Sequence, residues 1–183
     1  MKVLVVVDMQ KDFVDGSLGT PEAQAIVPNV KKKVEEAVKN GDMIIYTRDT
    51  HFTDYMDTME GKKLPVEHCI YKTEGWEIVK EVLPQSSYEH TYSFNKYTFG
   101  FNELPELVKS MLNDNGVWTD CTGIELCGLC TDICVVSNAL LLKTEFYNEL
   151  EISVDATCCA GVTPETHEAA LKTMEMCQIN VKR

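Results

Sequence analysis

Five consecutive apolar residues, Val3-Leu4-Val5-Val6-Val7, stand near the start of the chain with no polar residue between them. A strand of this kind buries both faces, which places it at the centre of a parallel sheet covered by helices. Further β-rich runs at 43–47, 91–94, 123–127, 150–154 and 178–181 alternate with helical patterns at 27–40, 76–83, 104–112, 135–142 and 164–177. Six strands in alternation with helices predict an α/β chain: a three-layer α/β/α fold with a six-stranded, mostly parallel sheet, Rossmann-like topology and right-handed crossovers. Helix punctuation agrees with this pattern. Pro28 suits a first helical position, Gly41 a helix end, and Thr163-Pro164 an N-cap followed by the first helical residue. With 183 residues the expectation is one domain spanning 1–183, and the irregular stretch 50–75 is its longest connection.

A net charge of −12 repels phosphate backbones and anionic lipid, so neither nucleic acid nor membrane is expected as a partner. The apolar start is followed at once by Asp8 and Lys11, too short for a secretory signal or a membrane span, and the expected compartment is the cytoplasm. In that compartment the eight cysteines are expected as thiols, with catalysis or metal binding as their special uses. Cys127-x2-Cys130-x3-Cys134, with Cys121 upstream, leaves a zinc or iron–sulfur site as an alternative, although it lacks a second cysteine pair at structural-zinc spacing. Cys158-Cys159 reads as packing near a loop.

In open parallel sheets, ligands bind beyond the carboxyl ends of the strands. Asp8 ends the first strand, Asp49 and His51 follow the second, Lys96 follows the third, and Cys134 comes soon after the fourth. Within Gly128-Leu129-Cys130-Thr131-Asp132-Ile133-Cys134-Val135 a strand gives way to a helix, and free amides with the helix dipole in a first turn lower a thiol pKa. Cys134 is therefore a candidate nucleophile; a buried, inert helix cysteine is the plain alternative. Asp49 and His51, two apart in an extended segment, point to the same side, and with His68 they offer a carboxylate and two imidazoles suited to zinc, iron or manganese. Polar surface residues account for the same spacing without a metal. Asp155 is expected at the same sheet edge, satisfying loop amides, whereas His90 and His167 lack partners in the pattern and read as structural.

These residues resemble a known family, the isochorismatase-like cysteine hydrolases, and within it the nicotinamidases and pyrazinamidases. The resemblance covers nearly the whole chain. It rests on Val7-Asp8-Met9-Gln10-Lys11-Asp12-Phe13, Arg48-Asp49-Thr50-His51, Glu67-His68-Cys69, the Lys96 segment, and the run from Gly128 to Val135. It implies a catalytic triad of Asp8, Lys96 and Cys134, and an oxyanion hole from the backbone N–H groups of Cys130 and Cys134. It also implies a cis peptide at Leu129-Cys130, substrate contacts from Phe13, Leu129 and Cys130, and a divalent metal, zinc by preference, on Asp49, His51 and His68 with Glu60 as a candidate further ligand. Trp76, Tyr55 and Tyr97 are further candidates for aromatic walls, and Asp12 for positioning the loop after the first strand.

By the same resemblance the expected reaction converts nicotinamide to nicotinate and ammonia, serves NAD salvage, and is carried out by a homo-oligomer on a small carboxamide. The stretch Tyr71-Lys72-Thr73-Glu74 departs from the family's tight Gly-Thr turn, and the chain is short for a nicotinamidase. A related hydrolase of another carboxamide or of an N-carbamoyl or ureido compound is the enzyme alternative. A non-catalytic thiol redox sensor would explain the cysteines but has no use for Asp8 and Lys96.

Overall fold

A computed structural model describes residues 1–183. Its strands are β1 (Val3–Val7), β2 (Met43–Asp49), β3 (Thr91–Lys96), β4 (Ile124–Leu129), β5 (Ile152–Ala160) and β6 (Asn180–Lys182). All pair in parallel, in the order β3-β2-β1-β4-β5-β6. Every residue of β1 is buried, as its unbroken apolar run requires. The helices are α1 (Lys11–Val14), α2 (Pro21–Asn40), α3 (Met59–Lys63), α4 (Leu104–Asp114), α5 (Val136–Glu145) and α6 (Pro164–Met176). The long α2 packs on β1, β2, β4 and β5, while α4, α5 and α6 lie side by side on the opposite side, giving the three layers. No helix is long and apolar enough to cross a membrane.

The expected helices differ from those observed at two places. Helix α2 begins at Pro21 rather than near Pro28: Thr20 caps it by accepting from Ala23 N at 3.0 Å, and Pro28 lies inside. The expected helix at 76–83 is replaced by extended chain and two short 3-10 turns, Glu74–Trp76 and Lys80–Val82. Its backbone serves the loop after β1 instead, with Lys11 N donating to Glu77 O (2.9 Å) and Val79 N to Met9 O (2.9 Å). An i→i−4 ladder would leave those partners unpaired.

Strand β5 runs past its expected end at 154, through an irregularity opposite Leu126–Gly128, to Ala160. Cys158 and Cys159 therefore sit in the strand itself, just before the loop that follows Ala160, and Asp155 is not at the strand's end. Asp155 does bind a loop-like amide, accepting from Thr157 N at 3.0 Å, but its other oxygen lies 2.6 Å from Lys33 of α2.

Lys33 and Lys182 both also bond Glu125 of β4. Burial alone would raise the Glu125 carboxyl, but the hydrogen bonds from Lys182 and Lys33 outweigh it and hold it below the usual range. A depressed folded pKa contributes stability that is present above the unfolded value of about 4.3 and is lost as pH falls through the folded one. Glu125→Gln is thus expected to cost about 1–3 kcal/mol in urea unfolding at neutral pH. The gap to the parent protein should close in acid, and a gap independent of pH would contradict this.

The chain visits β1, β2 and β3 to one side and then crosses to β4 on the other, so the strand order reverses between β1 and β4. A crevice opens beyond the strand ends at such a point. Gly128 makes the crossing tight: its φ is +117°, and a Cβ there would lie 2.1 Å from Val7 O. No other residue fits against the end of β1 at that distance.

Candidate active site

Asp8 leaves the end of β1 with φ of +47°, a left-handed turn uncommon outside glycine, and its carboxylate is fully buried. Thr47 of β2 fixes it, donating to Asp8 Oδ1 at 2.7 Å. Lys96, the last residue of β3, is 1% exposed and lies 2.7 Å from Asp8 Oδ2 and 3.1 Å from Asp49 Oδ1. Its ammonium also donates to Thr98 O (3.2 Å) and to Cys134 Sγ (3.4 Å). Asp8, Lys96 and Cys134 therefore converge, from three strand ends, on one place beside the β1/β4 crevice.

Between β4 and α5 the chain takes a π-helical turn, Thr131–Val135, which carries Cys134. The Leu129-Cys130 peptide is cis, and the Cys130 N–H has no acceptor within the protein. An unpaired donor beside a thiol is what an oxyanion would need. Asn138 of α5 ties this turn to the chain after β3, donating to Cys134 O (2.8 Å) and Phe99 O (3.3 Å) while accepting from Phe101 N (2.9 Å).

The expected lowering of the Cys134 pKa is reversed. Burial pushes the thiol well up and the facing Asp8 carboxylate adds to this, while Lys96 opposes them. Burial likewise raises Asp8, with Lys96 pulling the other way. For Lys96, burial favours the neutral amine, but Asp8, Cys134 and Asp49 outweigh it and hold the ammonium. The Lys96 ammonium thus lies between the Asp8 carboxyl group and a thiol whose neutral form burial favours.

Asp49, His51, Glu60 and His68 form a second cluster, with one donor atom from each lying within 4.8 Å of all the others. His51 Nε2 stands 3.0 Å from Asp49 Oδ2 and 3.7 Å from Glu60 Oε1, and makes no hydrogen bond. His68 Nδ1 is 2.8 Å from Val66 O, which accepts its proton and leaves the Nε2 lone pair facing Asp49 Oδ2 (3.6 Å) and Glu60 Oε1 (3.9 Å). Tetrahedral ligands about 2.1 Å from an ion stand about 3.4 Å apart, so this donor set fits a divalent metal in spacing and in chemistry. Burial would raise the Asp49 carboxyl, but the imidazoles and Lys96 hold it below the usual carboxylate range. Lys96 joins the two clusters by contacting Asp8 and Asp49 together.

A cleft of about 620 Å³ opens over both clusters, with Asp49, Glu60, His68 and Cys134 in its wall. Phe13, Leu129 and Cys130 line it too, and the Phe13 ring lies 5.5 Å from that of His68. Of the aromatic candidates Tyr97 lines the cleft, while Tyr55 packs its ring 4.6 Å from His51 and 5.0 Å from His68. Trp76 is buried beneath, donating to Thr50 Oγ1 at 2.9 Å. The metal-like group contains no cysteine, and all eight thiols are free, so the cysteine-cluster alternative finds no support. His167 pairs with Thr131 Oγ1 at 2.8 Å, and His90 lies beside Glu89.

Sequence reasoning missed the supports of the metal-like cluster. Gln10, fully buried, accepts from Asp49 N (2.7 Å) and donates to Asp49 O (2.8 Å) and Trp76 O (2.9 Å). Asp12 ties its own loop to the His68 loop, accepting from Ser17 N at 3.4 Å and from Cys69 N at 2.7 Å. Gly75 allows this, since a Cβ there would lie 2.1 Å from the Asp12 carboxylate. The available signal was the spacing Asp8-x-Gln10-x-Asp12, three polar residues following a wholly apolar strand.

The sequence model of the Isochorismatase domain matches residues 2–182. The chain belongs to the isochorismatase family. This member is similar to the nicotinamidase/pyrazinamidase of Mycobacterium tuberculosis, 26% identical over 191 aligned residues that cover 99% of this chain and 98% of the relative. Among solved structures it resembles the pyrazinamidase of Pyrococcus horikoshii in complex with zinc (26% identity, TM-score 0.79, 100% and 98% coverage). It also resembles the N-carbamoylsarcosine amidase from Thermoplasma acidophilum (27% identity, TM-score 0.77, 100% and 96% coverage). As an isochorismatase-family protein with such relatives, the chain is a hydrolase acting on amide bonds.

Proposed function

We propose that this protein is a metal-dependent cysteine amidohydrolase that converts nicotinamide to nicotinate and ammonia through a thioester on Cys134, a reaction of NAD salvage. The observation that carries this reading is Lys96, whose one ammonium touches Asp8, Cys134 and the metal-like cluster through Asp49. A structural ion pair would not need a thiol at 3.4 Å from its cation.

Asp8 accepts the Cys134 proton as sulfur attacks the carboxamide carbon. Burial raises both groups, which keeps the carboxylate better matched to the thiol than a solvated aspartate would be. The Lys96 ammonium steadies negative charge on sulfur. Charge on the carbonyl oxygen is met by the Cys130 and Cys134 N–H groups, each such donor being worth about 3–4 kcal/mol. Protonated Asp8 gives its proton to the departing nitrogen as the C–N bond breaks, releasing ammonia. Water, deprotonated by Asp8, then attacks the thioester, and nicotinate leaves as the thiol re-forms.

Phe13 and Leu129 flank the ring. A divalent ion, zinc by preference, held by Asp49, His51, His68 and Glu60 would supply a Lewis acid that anchors a ring nitrogen. Ammonia release from nicotinamide should be abolished by a strong chelator and restored by one equivalent of zinc, iron or manganese. Full activity after the metal content has been shown to be nil would contradict the metal dependence. Likeness to an N-carbamoylsarcosine amidase keeps a ureido substrate as the second reading.

A further inference from the structure

We infer that the cleft takes, beside nicotinamide, uncharged carboxamides carrying an apolar body larger than a single pyridine ring and binds them more tightly; this rests on the amidase reading above. The cleft of about 620 Å³ falls in the size range of pockets that enclose drug-sized ligands. A pyridine ring with its carboxamide leaves much of it unfilled.

The cleft is also divided by polarity. Its reactive groups are deep: Asp49, His68 and Cys134 are all at most 5% exposed. Its outer wall is apolar: Met59, Leu64, Tyr97, Phe99 and Val162 line it and are 38–70% exposed. Large apolar side chains left open mark an interaction surface, and these share one cleft with Asp49, His68 and Cys134, which points to a ligand of the reactive site.

Charge argues for a neutral ligand. Asp8 and Lys96 cancel, and the carboxylates of Asp49 and Glu60 balance a divalent ion. The remaining cation in the lining is Lys63 on α3, one turn from Glu60 and open to water, where its charge is worth little. A substrate with its own carboxylate, such as an N-carbamoyl amino acid, finds no surplus positive charge to hold it. An apolar extension gains contact along the outer wall, and one extra buried group in such a pocket typically changes discrimination by about 10–200-fold.

The test uses the metal-loaded protein with nicotinamide, 5-phenylnicotinamide and N-carbamoylsarcosine, and compares kcat/KM for each. Calorimetry on the Cys134→Ala variant measures binding of the same compounds without turnover. The expected result is at least tenfold tighter binding of 5-phenylnicotinamide than of nicotinamide, with kcat/KM no lower. Replacing exposed Val162 by Trp should narrow that ratio. Equal or weaker binding of the phenyl compound, or preference for N-carbamoylsarcosine, would overturn the inference. Tight binding of the phenyl compound with hydrolysis of none of the three would uphold the cleft's preference and count against the amidase reading.

Discussion

Lys96→Met is expected to lower the stability of the metal-free protein by about 3–5 kcal/mol, the usual cost of removing one member of a buried ion pair. The cost arises in what stays behind. Asp8 would keep only Thr47 as a side-chain donor, and Asp49 would face it with no cation between them. At about 2–4 °C per kcal/mol for a chain of this size, scanning calorimetry should show a melting temperature lower by about 6–20 °C. Adding Asp8→Asn to Lys96→Met should recover part of the loss, because a carboxylate that lacks its partner is then removed too. A drop under about 1 kcal/mol in the single variant would mean that the ammonium does not hold the site together.

Cys134→Ala is expected to reduce kcat for ammonia release on the order of 10⁴–10⁶-fold, the range seen when a nucleophile that acts as part of a unit is removed. Because Cys134 hydrogen-bonds with Lys96 and is not one of the four metal-like donors, the variant should take up metal as the parent does. Loss of metal along with activity would make the result structural. Retained activity would place the attacking group elsewhere, with Cys130 in the same cleft as the obvious substitute.

The sheet was legible because hydrophobic patterning speaks directly of burial. Val3–Val7 could be placed at the centre from five letters, and the strand ends then collected Asp8, Asp49, Lys96 and the Cys134 turn at one edge. The pairing of Asp49 with His51 was legible for the same reason, since extended chain has a period of two. Where tertiary partners overrode local preference, the sequence was silent. Residues 76–83 carry a helical pattern, yet Glu77 and Val79 pair with Lys11 and Met9.

The Cys134 pKa was misjudged for a related reason: a helix start is visible in sequence, whereas burial and a facing carboxylate are not. Gln10 escaped, as did the reach of Asp12 to the His68 loop, because the partners are backbone groups of Asp49 and Cys69, far along the chain. Glu60 was reached through family resemblance, and the spatial cluster now places its carboxylate beside the two imidazoles.

The most direct test of the central claim is the mass of the Cys134 peptide from the metal-loaded protein, quenched with acid during turnover of nicotinamide. A nicotinoyl group in thioester linkage on Cys134, absent after the substrate is exhausted, is the result predicted. Sustained ammonia release with Cys134 unmodified, or with the acyl group on Cys130 instead, would contradict it.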